Sequence, residues 1–192
     1  MRRLYDLMKF ASVNWLTGEV LHKWGAKPVP LSAGLWRDLE WWMQNLRFRN
    51  HTPLFDELHS CRLLLLGTDA SDWGGGGEWE MDGDTEELRF DWSLFERNHD
   101  INIREMATVV LACCRWGARL TGGRVKVRVD NSATHCVLRR GSANAPLMME
   151  LMRRMSLLQS RFRFSLEPEW LPGVVHFRSD ALSRDRLLVA PL

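Results

Sequence analysis

From Cys61 onward the chain switches between two apolar rhythms, and the switches mark out its elements. CRLLLLGTD is a short apolar run that predicts a buried strand ending at Asp69. GGGGEWEMDGDTEELRFDW reads as two further strands joined by MDGD, whose Asp-Gly is a hairpin signal. INIREMATVVLACCRWGARL keeps a helical period. Ile103, Met106, Val110, Cys113 or Cys114, and Ala118 trace its apolar stripe, and Thr121-Gly122-Gly123 closes it. VKVRVD alternates apolar and basic residues and stops at Asp130, the pattern of a half-buried strand. NSATHCVLRRG predicts a short helix ending near Gly141. PLMMELMRRMSLLQSRF predicts a long one, with Pro146 in its first turn and methionines as core filler. FRFSLEPEW is a last strand, LPG a turn, and FRSDALSR a short final helix.

The order β-β-β-α-β-α-α-β-α predicts a mixed α/β layout, a three-stranded meander followed by crossovers that extend the sheet in parallel. Ahead of it, 1–60 reads as irregular chain plus one helix, begun at Ser32 or Gly34 and running through LWRDLEWWMQNLRF. Leu35, Leu39, Trp42 and Leu46 share one of its faces. Its Trp36, Trp41 and Trp42 either stack bases or, as such residues usually do, pack the helix on the next domain. We therefore divide the chain into a helical appendage (1–60), an α/β domain (61–186) and a tail (187–192).

Composition alters little: 45% hydrophobic and 26% charged residues are ordinary for a globular chain. No apolar run reaches the roughly 18–20 residues of a membrane span, and MRRLYDLMKF has no continuous apolar core of a secretory signal. An intracellular location without membrane partners is expected. Cys61, Cys113, Cys114 and Cys136 show no C-x-x-C spacing, so reduced thiols are expected rather than zinc or disulfides. Charge says more. Residues 1–100 hold 11 Lys and Arg against 17 Asp and Glu, whereas 101–192 hold 15 against 7. A basic half suggests an anionic partner, with nucleic acid the leading candidate.

The candidate chemistry begins at TDASDWGGGG. The glycine run lacks the Lys-Ser/Thr of a P-loop and lies between strands, so it marks a bulge or a close backbone approach by a ligand. Four acids stand out instead. Asp69 and Asp130 end strands, Glu105 lies in the first turn of a helix among Met106 and Ala107, and Asp180 begins the last helix. Ends of strands and starts of helices are where side chains converge in α/β folds. Carboxylates that share a site need cations to neutralise them, and all-oxygen ligand sets favour magnesium or manganese. Each acid also has a capping reading: Asn102 with Glu105 as a capping box, Asp180 after Ser179, Asp69 with Ser71, and Asp130-Asn131-Ser132 at a helix start.

The four acids occur in the order and contexts of one family. TDAS (68–71), NIREMA (102–107), VRVDNSA (127–133) and LPGVVHFRSDALSR (171–184) resemble the successive motifs of ribonuclease H domains in retrotransposon reverse transcriptase polyproteins. The last is similar to their PG…N…AD.LSR ending, and VPLSAGLWRDLEWW resembles the segment joining reverse transcriptase to ribonuclease H, with the DIRS-like (tyrosine-recombinase) group most similar. The resemblance implies a ribonuclease H-like fold: a five-stranded mixed sheet of antiparallel meander plus parallel strands, flanked by helices, behind an N-terminal helical appendage. It implies endonucleolytic hydrolysis of the RNA strand of an RNA–DNA hybrid on two Mg2+ ions, with Mn2+ able to substitute, in a chain that also carries a reverse transcriptase domain. Asp69 would bridge both ions, Asp180 would help hold the ion that activates water, and Glu105 and Asp130 would hold the other. His176 stands where the pattern has asparagine, either as an accessory residue or as a plain loop histidine. Ser71, Gly74 and Asn131 would meet the hybrid, and Arg139 and Arg140, or Arg153 and Arg154, its phosphates. Two rival readings remain: a catalytically silent scaffold of this fold that binds nucleic acid or protein, and a DNA-cutting nuclease of the integrase or transposase kind, whose late acid is glutamate.

Overall fold

The computed structural model describes residues 62–184, together with helical positions between 33 and 44. The chain divides into two compact units, Met1–Thr52 and Pro53–Leu192. In the first, Ala33, Gly34, Trp36, Arg37, Leu39, Glu40, Met43 and Gln44 are helical, within the helix expected there; Leu39 is half-buried and Trp36 exposed. Leu35, Trp41, Trp42, Leu46, Cys61 and the tail lie outside the described residues. No described helix is long and apolar enough to cross a membrane.

The second unit is built from β1 (Leu63–Ala70), β2 (Gly74–Met81), β3 (Asp84–Asp91), α1 (Leu94–Arg97), α2 (Ile101–Leu120), β4 (Arg124–Val129), α3 (Ser132–Arg140), α4 (Pro146–Phe162), β5 (Ser165–Trp170) and α5 (Phe177–Ser183). Its five strands form one mixed sheet in the order β3-β2-β1-β4-β5. β1–β2 and β2–β3 are antiparallel, while β1–β4 and β4–β5 are parallel. The hairpin turn is Asp82-Gly83, both at positive φ (53° and 90°), the conformation that makes Asp-Gly the favoured pair.

One face of the sheet carries the core. Leu64 and Leu66 on β1 and Val125, Val127 and Val129 on β4 are closed to water, as are Met106, Val109 and Leu120 on α2. Met148, Met152 and Met155 of α4 complete the cluster, filling it as flexible side chains do. The α2 stripe differs from expectation at its end: Trp116 and Leu120 are buried while Ala118 and Cys114 face water. On β4 the alternate residues Lys126 and Arg128 face the other way and pair with Glu167 and Glu169 of β5. Two of the basic residues of this half are thus paired with its own acids across a strand pair.

α1 follows from SLFE. The Ser93 hydroxyl accepts from the Glu96 N–H and the Glu96 carboxylate accepts from the Ser93 N–H, a complete capping box. At four residues it is too short to show a period.

The glycine run is a strip stripped of side chains for the protein's own helices. A Cβ on Gly75 would stand 2.7 Å from the Thr108 hydroxyl of α2, and one on Gly76 only 2.5 Å from the Ser183 backbone nitrogen of α5. Gly67 on β1 is equally close-fitted, 2.8 Å from the Ser179 hydroxyl. The sequence points to a bulge or a ligand's approach; the close approach is instead made by the protein's own helices, on both faces. Gly76→Ala therefore forces α5 off the sheet. Overpacking of this kind costs about 1–3 kcal/mol, which thermal melts would read as a fall of several degrees; an unchanged melting temperature would show that α5 docks loosely.

Candidate metal centre

Three carboxylates meet where β1 and β4 end and α2 begins. Asp69, the penultimate residue of β1, pairs with Gly76 in the sheet register and so lies under α5. Asp130 follows the last residue of β4, the parallel neighbour of β1. Glu105 is the fifth residue of α2. One ligand oxygen from each lies within 4.8 Å of the others. Asp69 and Glu105 are each 3% exposed, and Asp130 is half-buried.

The capping readings fail one by one. α2 is capped by Asp100, which accepts from the Asn102 N–H at 2.8 Å, so Asn102 lies inside the helix and Glu105 is past its first turn. Asn131 caps α3 by accepting from the Thr134 N–H at 2.9 Å, which leaves the Asp130 carboxylate unused by the cap. Ser71 and not Asp69 caps the β1–β2 turn, accepting from Trp73 and Gly74. Asp180 sits one turn into α5, whose N-cap His176 makes no side-chain capping bond.

The electrostatics of the cluster are unfavourable without a cation. Burial pushes the Asp69 carboxyl up to about 6; the Ser183 hydroxyl, donating to it at 2.5 Å, opposes this, while Asp130 and Asp180 add to it. Burial, reinforced by Asp69 and Asp130, pushes Glu105 up to about 9 against the Ala70 N–H and Arg104. Glu105 Oε2 is buried with no hydrogen-bond partner, a donor-shaped gap that neither protein group nor charge fills. Hard divalent cations with oxygen ligands fit this set: they satisfy the orphan oxygen and offset the repulsion. Asp69, Glu105 and Asp130 would hold such an ion.

Asp180 stands apart from this trio. Its Oδ1 takes the Arg184 Nε–H at 2.5 Å, one helical turn on, although its charge is still felt at Asp69. Arg184 also lines the open cleft of about 430 Å³ that holds the three acids, together with Trp73 and Ile101.

The remaining expected residues divide. Ser71 is buried, and its hydroxyl donates to the Ser183 carbonyl at 2.6 Å. Gly74 opens β2 with its α-carbon against the Phe90 carbonyl. Both are turned inward and scaffold the site. Asn131, besides capping α3, donates to Asn102 at 2.9 Å and so ties α3 to α2. His176 is buried, with Nε2 2.8 Å from the Thr68 carbonyl. Since a carbonyl only accepts, Nε2 carries a proton and the ring fastens α5 to β1 beside Asp69. Arg139 and Arg140 are exposed in the last turn of α3, roughly 12 Å along the helix from Asn131 at 1.5 Å per residue. On α4, Arg154 is exposed and Arg153 is held by Glu150 at 3.2 Å.

Sequence reasoning missed Ser183, Arg104, Arg184 and Trp73. The first three sit within or beside the expected motifs, but their partners lie far along the chain. Trp73 carried a signal of its own, a large apolar residue inside an otherwise polar turn.

No family model matches the chain, and no curated protein matches it. Solved structures do. The ribonuclease H1 of the halophilic archaeon Halobacterium salinarum superposes with a TM-score of 0.53 at 18% identity, covering 67% of this chain and 99% of its own. LC11 ribonuclease H1, solved in complex with an RNA/DNA hybrid, gives 0.53 at 16% identity over 64% of this chain and 94% of its own. The α/β unit has the ribonuclease H fold.

The raised carboxyls make one part of the ion-free protein's stability depend on pH. Its folded state keeps protons on Asp69 and Glu105 that the unfolded chain releases near 3.8 and 4.5. The contribution of these two groups is fully present below about pH 4 and is lost as pH rises through about 6 for Asp69 and about 9 for Glu105. Asp130→Asn removes a repelling charge and should raise the ion-free melting temperature at pH 8 by about 2–8 °C, while shrinking the stabilisation by MgCl2. Melts of both proteins at pH 5 and pH 8, with and without the salt, would check this; equal curves would mean that the acids do not repel.

Proposed function

We propose that this chain is a metal-dependent endoribonuclease that hydrolyses the RNA strand of RNA–DNA hybrids, as the ribonuclease H component of retroelement reverse transcription. The observation that carries the reading is the trio Asp69, Glu105 and Asp130, whose ligand oxygens lie within 4.8 Å on the ribonuclease H fold with Glu105 Oε2 unsatisfied. Two divalent ions, Mg2+ or Mn2+, supply Lewis-acid stabilisation of the entering and leaving oxygens in an in-line displacement when bound. Hydrolysis by that route leaves a 5′-phosphate and a 3′-hydroxyl.

The chain's own groups have distinct parts. Asp69, oriented by Ser183, would be the ligand shared between the ions. Glu105 and Asp130 would hold the ions with it, and Asp180, now paired with Arg184, would be the fourth carboxylate available to them. Arg184, which lines the cleft, would offer its cation to a bound phosphate. His176 holds α5 in place, and exposed Arg139 and Arg140 meet phosphates further along the strand. A reverse transcriptase domain in the same polyprotein supplies the hybrid.

The Arg184–Asp180 pair is the specific observation that favours the second reading, a silent scaffold, because it occupies a ligand. Cleavage of labelled RNA–DNA hybrid by the full chain with Mg2+, Mn2+ or EDTA separates the two. The RNA strand should be cut only with a divalent ion, and Asp130→Asn should slow cutting roughly a hundredfold or more, as several kcal/mol of charge stabilisation are lost. Hybrid binding without any cutting would establish the scaffold instead.

A further inference from the structure

The turn between β1 and β2 is fixed from every side. The Ser71 N–H donates to the Gly74 carbonyl at 2.9 Å, and the Ser71 hydroxyl accepts the N–H groups of Trp73 and Gly74 at 3.1 and 3.2 Å. Beneath it, buried Trp92 donates its indole N–H to the Ser71 carbonyl at 3.1 Å and its backbone N–H to the Trp73 carbonyl at 2.9 Å. Asp72 is held at 2.8 Å by the nearly buried Arg104, the residue before Glu105.

What this turn presents is the indole of Trp73, which remains 62% exposed. The ring lines the same cleft as Asp69, Glu105 and Asp130. The Arg97 guanidinium lies 5.1 Å from its centroid and is itself anchored on the Trp92 carbonyl. A large ring held this firmly, yet left mostly in water, gains its burial only when a ligand covers it.

The cleft indicates the ligand. A strand whose phosphate is held over the three acids lays the adjoining sugar along the cleft wall, where Trp73 stands. In a paired hybrid the base faces are covered by their neighbours and the sugar face is the apolar part left open, so a flat indole backed by a guanidinium matches both its surface and the charge beside it. A protein partner's apolar anchor would meet a floor of carboxylates instead.

The geometry points to Trp73 as an apolar platform for the sugar next to the phosphate at the acidic cluster, with Arg97 setting the ring from one side. The inference rests on the proposal that nucleic acid is the substrate of this site. Because every nucleotide offers a sugar face, the contact is tolerant of sequence and acts on binding and register.

The test uses the full chain, with fluorescence anisotropy of a labelled RNA–DNA hybrid in the non-cutting Asp130→Asn background and steady-state cleavage in the parent. Trp73→Ala should weaken binding about tenfold with an unchanged melting temperature, and the loss should fall on KM more than on kcat. Trp73→Phe should restore most of it, and Arg97→Ala should give a smaller loss. Parent cleavage with no change in binding or KM for Trp73→Ala would overturn the platform and leave the hydrolytic reading intact. Trp73-dependent binding without cleavage would uphold the platform and sink that reading. A parent that neither binds nor cuts the hybrid would refute both.

Discussion

Three carboxylates within 4.8 Å, two of them nearly dry, form an arrangement that the folded chain holds against its own electrostatics. Much of the surrounding structure serves that tension. The Ser183 hydroxyl donates to Asp69, the Ala70 N–H to Glu105, and Arg104 adds a cation beside it. None of these donors offsets the burial of the two carboxyls or the repulsion that adds to it, so both stay above their ordinary range. The protein contributes the geometry and leaves open a charge balance that a divalent ion would supply.

Holding that geometry requires α5 to sit closer to the sheet than side chains allow. Gly67 and Gly76 remove the obstacle on one face, and Gly75 does so for α2 on the other. With the helix seated, Ser183 reaches Asp69, Ser71 reaches the Ser183 carbonyl, and His176 reaches Thr68. One stretch of glycines thus couples packing to the orientation of a carboxylate.

Most of the fold was legible because its strands announce themselves. LLLL ends in an acid, VKVRV alternates, and Asp82-Gly83 requires a tight hairpin. The trio was legible from strand ends and from one carboxylate on an apolar helix face. What escaped were properties of register and distance. Asp100 and Asn102 are both good caps, and only the helix start shows that Glu105 belongs to neither. The neutralising of Lys126 and Arg128 depends on which strand lies alongside, since Glu167 and Glu169 come some 40 residues later. Ser71 and Gly74 were expected to face a strand of substrate, but their groups are spent on the turn itself, and that turn exposes the neighbouring Trp73. The DIRS-like affinity remains a matter of motif resemblance.

The two outer strands carry a consequence for solution behaviour. β5 holds Pro168, which removes a backbone donor from the rim, and flanks it with Glu167 and Glu169. β3 carries five charged residues in eight, Asp84, Glu86, Glu87, Arg89 and Asp91, with a net charge of −3. A foreign strand meets a missing donor on one side and a row of charged side chains on the other, both of which disfavour edge-to-edge pairing. Charge and a single proline at the two rims thus work against fibre growth.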